Sequence, residues 1–113
     1  MTIHYKNAGV SLTTSNLTTV LTVTTSSVAI VKSVYFSNTS TGSILGNSSL
    51  YDSSATSNYE FWRDSMGAST QVNAAPGGLN LEAGDAIKAQ AATASEVEVV
   101  VNYALLTRQN ENG

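Results

Sequence analysis

The stretch Val28-Ala29-Ile30-Val31-Lys32-Ser33-Val34-Tyr35-Phe36-Ser37-Asn38 decides the fold class. It is rich in β-branched and aromatic residues and ends on a turn-forming Asn, the composition of a β-strand. Strict alternation places Val28, Ile30, Lys32, Val34 and Phe36 on one face and Ala29, Val31, Ser33, Tyr35 and Ser37 on the other. Both faces carry apolar residues. Such a strand lies between a core and a second covering element, or is a central sandwich strand with one tolerated semi-exposed face.

Period-two patterning continues on both sides, and no window shows a 3.6-residue apolar face. Upstream, it predicts strands over Thr2 to Lys6, Val10 to Thr14 and Leu17 to Thr24, with a tight connection at Ser26 and Ser27. Downstream, Asn38 to Asn47 is read as a loop. Ser48 to Ser53, Asn58 to Asp64 and a weak Ser69 to Ala74 follow as strands. The only proline sits in the turn signal Ala75-Pro76-Gly77-Gly78. After it come Leu79 to Leu81, the turn Glu82-Ala83-Gly84-Asp85, Ala86 to Ala91, and a long final strand Glu96 to Thr107 with alternating valines. About eight short strands with regularly spaced turns predict an all-β chain folded as a single β-sandwich with jelly-roll or Greek-key-like connections. Residues 1–16 are expected to be an amino-terminal arm and edge strands, 17–107 the sandwich, and 108–113 a flexible tail.

Composition narrows the function classes. Of 113 residues, 16 are Ser, 14 Thr and 10 Asn, while only 12% are charged and 42% are apolar. A disordered chain would carry more charge and fewer apolar residues. The formal charge is −3, and Lys6, Lys32, Arg63, Lys88 and Arg108 are widely separated, which argues against nucleic acid. No apolar run approaches the roughly 20 residues of a membrane-spanning helix. The amino terminus shows no secretory signal, so synthesis in the cytoplasm is expected. Glycosylation-type matches at Asn16, Asn38 and Asn47 are expected as accidents of composition. With no cysteine to staple it, a domain of this size gains from burying further surface in a homo-oligomer, taken here as a trimer.

The inventory for catalysis is thin. His4 is the only imidazole, there is no thiol, and no Gly-x-Ser-x-Gly elbow is present. One His without Cys does not make a zinc site, and no loop has the acidic spacing of a calcium site. Glu82 and Asp85 are explained as turn residues, with Gly84 supplying a positive φ. Glu60 and Asp64 flank the aromatic segment and are assigned to one strand face, with Trp62 between them. Aromatic platforms with few charges can stack on sugars, so Tyr59 and Trp62 carry a second reading, a carbohydrate-binding module for host-surface glycans. No catalytic residue, cofactor or metal is expected. Ile3, Tyr5, Tyr59, Phe61 and Trp62 are the candidate protein-interface residues.

Two segments carry a resemblance. The first is Val31, Lys32, Ser33, Val34, Tyr35 and Asn38, preceded by a Thr-rich strand from Leu17. The second is Leu81, Glu82, Gly84 and Asp85, then Ile87, Lys88 and Ala89, then Val97, Val99, Val101 and Tyr103. In this order they resemble small virion structural proteins of tailed bacteriophages, especially marine and cyanobacterial ones, over about half the chain. The resemblance implies a β-sandwich or jelly-roll subunit of the virion without catalysis. Its expected partners are the major capsid protein or other virion proteins. It would serve as decoration or cement protein on the head, or as a tail, neck or fibre component.

Overall fold

The computed structural model describes residues 2–107, and the expected tail at 108–113 lies outside them. The described residues form nine strands: β1 (Thr2–Ser11), β2 (Thr18–Thr22), β3 (Ser27–Asn38), β4 (Ile44–Asp52), β5 (Ser57–Met66), β6 (Gln71–Asn73), β7 (Leu79–Leu81), β8 (Ala86–Ala91) and β9 (Val97–Thr107). They build two antiparallel sheets. The larger runs β1-β9-β3, with β6 and β7 both paired to the far side of β3. The smaller runs β2-β8-β4-β5.

The pairings β1·β9, β2·β8, β3 with β6 and β7, and β4·β5 are nested like the two arms of one long hairpin. Rolling that hairpin brings β3 against β9 and β4 against β8. This is the jelly-roll connection, with β6 and β7 as one strand interrupted at 74–78. The interruption holds the only proline. Gly78 sits at φ 76°, and a Cβ there would lie 2.8 Å from the Val31 carbonyl oxygen, so the turn presses on the β3 backbone where only glycine fits.

Strand positions follow the sequence closely, with differences that have physical causes. Residues 2–11 form one strand, unbroken in register with β9 from Thr2↔Thr107 to Ser11↔Glu98, rather than the two expected. Gly9 and Asn7 look like turn residues, but the continuous ladder to β9 overrides them. The loop expected up to Asn47 ends at Ser43, because β4 starts at Ile44.

The facing of β3 is also corrected. Its register against β9 shifts between Val31 and Ser33, so Lys32 is the extra residue of a β-bulge. The bulge resets the alternation. Ala29, Val31, Val34 and Phe36 all face the core, each no more than 1% exposed, while Val28, Ile30 and Tyr35 face outward. Beyond the bulge, Val34 N donates to Asn73 Oδ1 at 3.2 Å and Val34 O accepts from Ala74 N at 2.7 Å, so the β3 ladder is completed after β7 has stopped.

The core lies between the sheets. Phe36, Val99, Val101, Ile87 and Met66 are fully buried, and each such side chain contributes about 1.5–3 kcal/mol. Leu12 closes one end: its N donates to Val97 O and its carbonyl accepts from Ser95 N. Two of the buried polar residues are each held by several hydrogen bonds. The Asn38 amide donates to three carbonyls, and the Asp85 carboxylate accepts from Ser53 and Glu82. Asp85 ends a turn in which Gly84 takes φ 87°, as its sequence implied.

Candidate functional site

The two sheets present very different faces to the outside. On the smaller sheet, Thr19, Lys88, Ser49 and Glu60 lie in register across the outer face, as do Gln90, Asn47 and Arg63. Several of its polar groups pair with one another. Arg63 bridges Glu60 at 2.7 Å, Asn47 donates to Gln90 at 3.3 Å, and Gln90 donates to Ser15 O at 2.9 Å. The apolar members of this face are Leu45 and Tyr51, the latter with Lys88 Nζ 5.0 Å over its ring.

The outer face of the larger sheet carries exposed apolar rows on β1, β9 and β3, bordered by Asn80, Asn73 and Gln71 on β7 and β6. Antiparallel partners share a face, so the register builds it row by row. One row is Ile3, Leu106 and Val28, the next Tyr5, Ala104 and Ile30. A polar belt follows, Asn7, Asn102 and Ser33, in which Asn102 Nδ2 donates to Ser33 Oγ at 2.9 Å. Gly9, Val100 and Tyr35 continue it, and Ser11, Glu98 and Ser37 end it, with Ser11 Oγ donating to Glu98 at 3.1 Å. Tyr5 is 75% exposed, Ile3 55% and Ile30 46%.

Lys32 is the cation on this face. From the β3 bulge it spans β9 and places Nζ 4.9 Å from the centre of the Tyr5 ring. That contact places the ammonium over the electron-rich ring face. An open cleft of about 530 Å³ adjoins the face where β6 stops and β7 begins, lined by Ile30, Lys32, Pro76, Gly77, Leu79 and Asn80.

The five candidate interface residues do not form one surface. Ile3 and Tyr5 lie on the apolar face just described. Trp62 lies across from Ser48 on the inner side of the smaller sheet and packs on Phe36, with ring centroids 4.7 Å apart. Phe61 is half-buried against the core at a second bulge, and Tyr59 is exposed nearby. That bulge also separates Glu60 from Trp62, since Glu60 pairs with Ser49 and Trp62 with Ser48; the expected single face for Glu60, Trp62 and Asp64 is therefore corrected. Glu60 is occupied by Arg63, and Asp64 Oδ1 accepts from Ser65 N. Val28, Ile30, Tyr35 and Val100 were missing from the candidates. The apolar residues on both sides of the β3 stretch were their signal.

His4 is exposed on β1 with no second imidazole to work with. Among the described residues, no three His, Asp or Glu side chains cluster as metal ligands. No helix there is long and apolar enough to cross a membrane.

Fold and surface together define a jelly-roll β-sandwich whose distinguishing feature is a bare apolar sheet face. No protein-family model and no curated protein matches the sequence. Among solved structures, the chain is similar to a Bacillus endospore appendage protein, from a family described as disulfide-linked pili. The TM-score is 0.57 at 11% identity, covering 96% of this chain and 90% of that one. It is also similar to the Eiger TNF of S. frugiperda (TM-score 0.44, 10% identity, 96% of each chain). A third is the Clostridium thermocellum xylanase 10B modules complexed with xylohexaose (TM-score 0.43, 11% identity, 95% of this chain and 27% of that one). At 11% identity the likeness to the appendage protein is one of fold.

Proposed function

We propose that this chain is a non-enzymatic structural subunit of a bacteriophage virion, a decoration or cement protein that binds the major capsid protein lattice and stabilises the head. The observation that carries an assembly role is the outer face of the larger sheet. A sandwich fold covers only the inner faces of its sheets, and here Ile3, Tyr5, Val28, Ile30, Tyr35 and Val100 are left in water. Ile3, Tyr5, Val28 and Ile30 lie in two adjoining rows, and contiguous apolar patches of this kind mark surfaces that other proteins cover.

The virion assignment rests on the sequence resemblance in β3 and in the β7 to β9 region. The polar smaller sheet fits a lattice partner, since hydroxyl and amide groups exchange water for protein hydrogen bonds without burying charge. Contacts that are modest singly become strong when repeated over a lattice. The pilus protein shares the fold, but disulfide linkage has no counterpart in a chain without cysteine. A tail, neck or fibre position would use the same surfaces and differ in copy number. The carbohydrate reading has less support, since Trp62 packs on Phe36 and leaves Tyr59 as the exposed aromatic of that segment.

Heads stripped of the protein and then reconstituted with it provide the test. Reconstituted heads should release their genome at a higher temperature than bare heads. Equal release temperatures would reject the cement role.

A further inference from the structure

We infer that the apolar outer face of the larger sheet is covered by a second copy of this chain, which leaves the polar smaller sheet free to meet the lattice. This rests on the assembly role proposed above and names the partner.

Three observations select a second copy. The first is area. With Tyr5 three-quarters exposed and the five others between 40% and 55%, these residues leave roughly 600 Å² in water, divided by the polar belt. Adding the polar belt, Lys32 and half-buried Leu106 brings the face near the roughly 800 Å² that each partner gives to a stable interface.

The second is charge. Among the described residues the face carries one cation, Lys32, already engaged by Tyr5, and one anion, Glu98, at its far end beside Ser11. These two charges balance and do not call for an oppositely charged partner. A lipid surface or a nucleic acid would be met by clustered Lys and Arg. A neutral apolar face is best matched by another neutral apolar face.

The third is the belt itself. Asn7 and Asn102 each carry both a donor and an acceptor, so amides of one copy can pair with amides of another without an unpaired group. The cleft beside Ile30 and Pro76 adds a recess of about 530 Å³ at the rim, where an apolar side chain of the facing copy can seat.

Light scattering and sedimentation of the full chain between about 1 µM and 0.1 mM test this. The wild type should run as a multiple of its 11.8 kDa mass. Ile30→Lys should run as the monomer with an unchanged circular dichroism spectrum, whereas Thr19→Lys, on the polar face, should remain assembled. A second measurement guards against misfolding of Ile30→Lys. Because the chain has no cysteine, Tyr35→Cys and Thr19→Cys each carry a single thiol. In the assembled state the thiol at position 35 should be alkylated about tenfold more slowly than the one at position 19. A wild type that stays monomeric at 0.1 mM, an Ile30→Lys variant that stays assembled, or equal alkylation of the two thiols would overturn the inference. A monomer that still raised the release temperature of heads would leave the virion role standing and remove only this partner. An assembled chain that left heads unchanged would do the reverse.

Discussion

Asn38→Asp is expected to lower the unfolding free energy by about 3–5 kcal/mol, a large part of what a domain of this size possesses. Asn38 is 2% exposed at the end of β3. Its Nδ2 donates to Gly42 O at 2.9 Å, Met66 O at 3.0 Å and Gly67 O at 3.1 Å. Its Oδ1 accepts from Ser40 N at 2.9 Å and Ser40 Oγ at 2.8 Å. One side chain thus ties the β3 to β4 loop to the end of β5. The Asp variant keeps the acceptor for Ser40 but turns a carboxylate oxygen toward three carbonyl oxygens, in a site with no cation. Repulsion and desolvation then act together. Ser40→Ala removes a hydroxyl bonded to Asn38 Oδ1 and Gly42 but leaves Ser40 N on Asn38 Oδ1, and should cost about 1 kcal/mol. Denaturant midpoints at pH 7 read both changes. An Asn38→Asp loss below about 1 kcal/mol would show that the loop does not depend on this amide.

Asp85→Asn is the second large effect, expected at about 2–3 kcal/mol. Burial by itself pushes the Asp85 carboxyl up and is the strongest single influence. Hydrogen bonds from Ser53 N, Glu82 N and Ser53 Oγ together outweigh it and hold the group below its ordinary value of 3.8. The geometry explains why an amide is a poor substitute. Oδ1 accepts from both Ser53 donors at 2.9 Å, and Oδ2 accepts from Glu82 N at 2.9 Å. An Asn satisfies the first pair and then aims its NH₂ at the Glu82 N–H. Because the folded value is depressed, the unfolded chain takes up this proton first as pH falls. The contribution is therefore complete above the ordinary value and is lost as pH drops through the folded one. Wild-type stability should fall more steeply than that of Asp85→Asn between about pH 5 and pH 2. Parallel acid-side slopes would show that the carboxylate is not the anchor of this turn.

These two residues also mark how far sequence reasoning reaches. The strands β3, β8 and β9 were legible almost to their ends, because period-two alternation and Gly, Pro and Asn turns are local signals. That Asn38 and Asp85 are buried polar pins was not legible, since their partners lie up to 32 residues away. The bulges at Lys32 and Phe61 were hidden too. A bulge is one extra residue against a partner strand and leaves no mark in the alternation of a single strand. Missing the first placed Val34 and Phe36 with Val28 and Ile30, when they lie on opposite faces. Missing the second put Glu60 beside Trp62.

The candidate site shows the same limit. Tyr59, Phe61 and Trp62 stand out because they are close in sequence, yet Phe61 and Trp62 pack against the core and leave Tyr59 as the exposed member. The apolar face is assembled from residues near 3, 30 and 100, which only the jelly-roll pairing of β1, β9 and β3 brings together. What could be read was its trace in β3, apolar residues on both sides of one strand.

The central claim is that this face exists to be covered by protein. A density map of the particle that carries the chain tests it most directly. Ile30, Tyr35 and Val100 should be found packed against protein across a dry interface. A map in which that face is open to solvent, with the particle held through other surfaces alone, would contradict the claim.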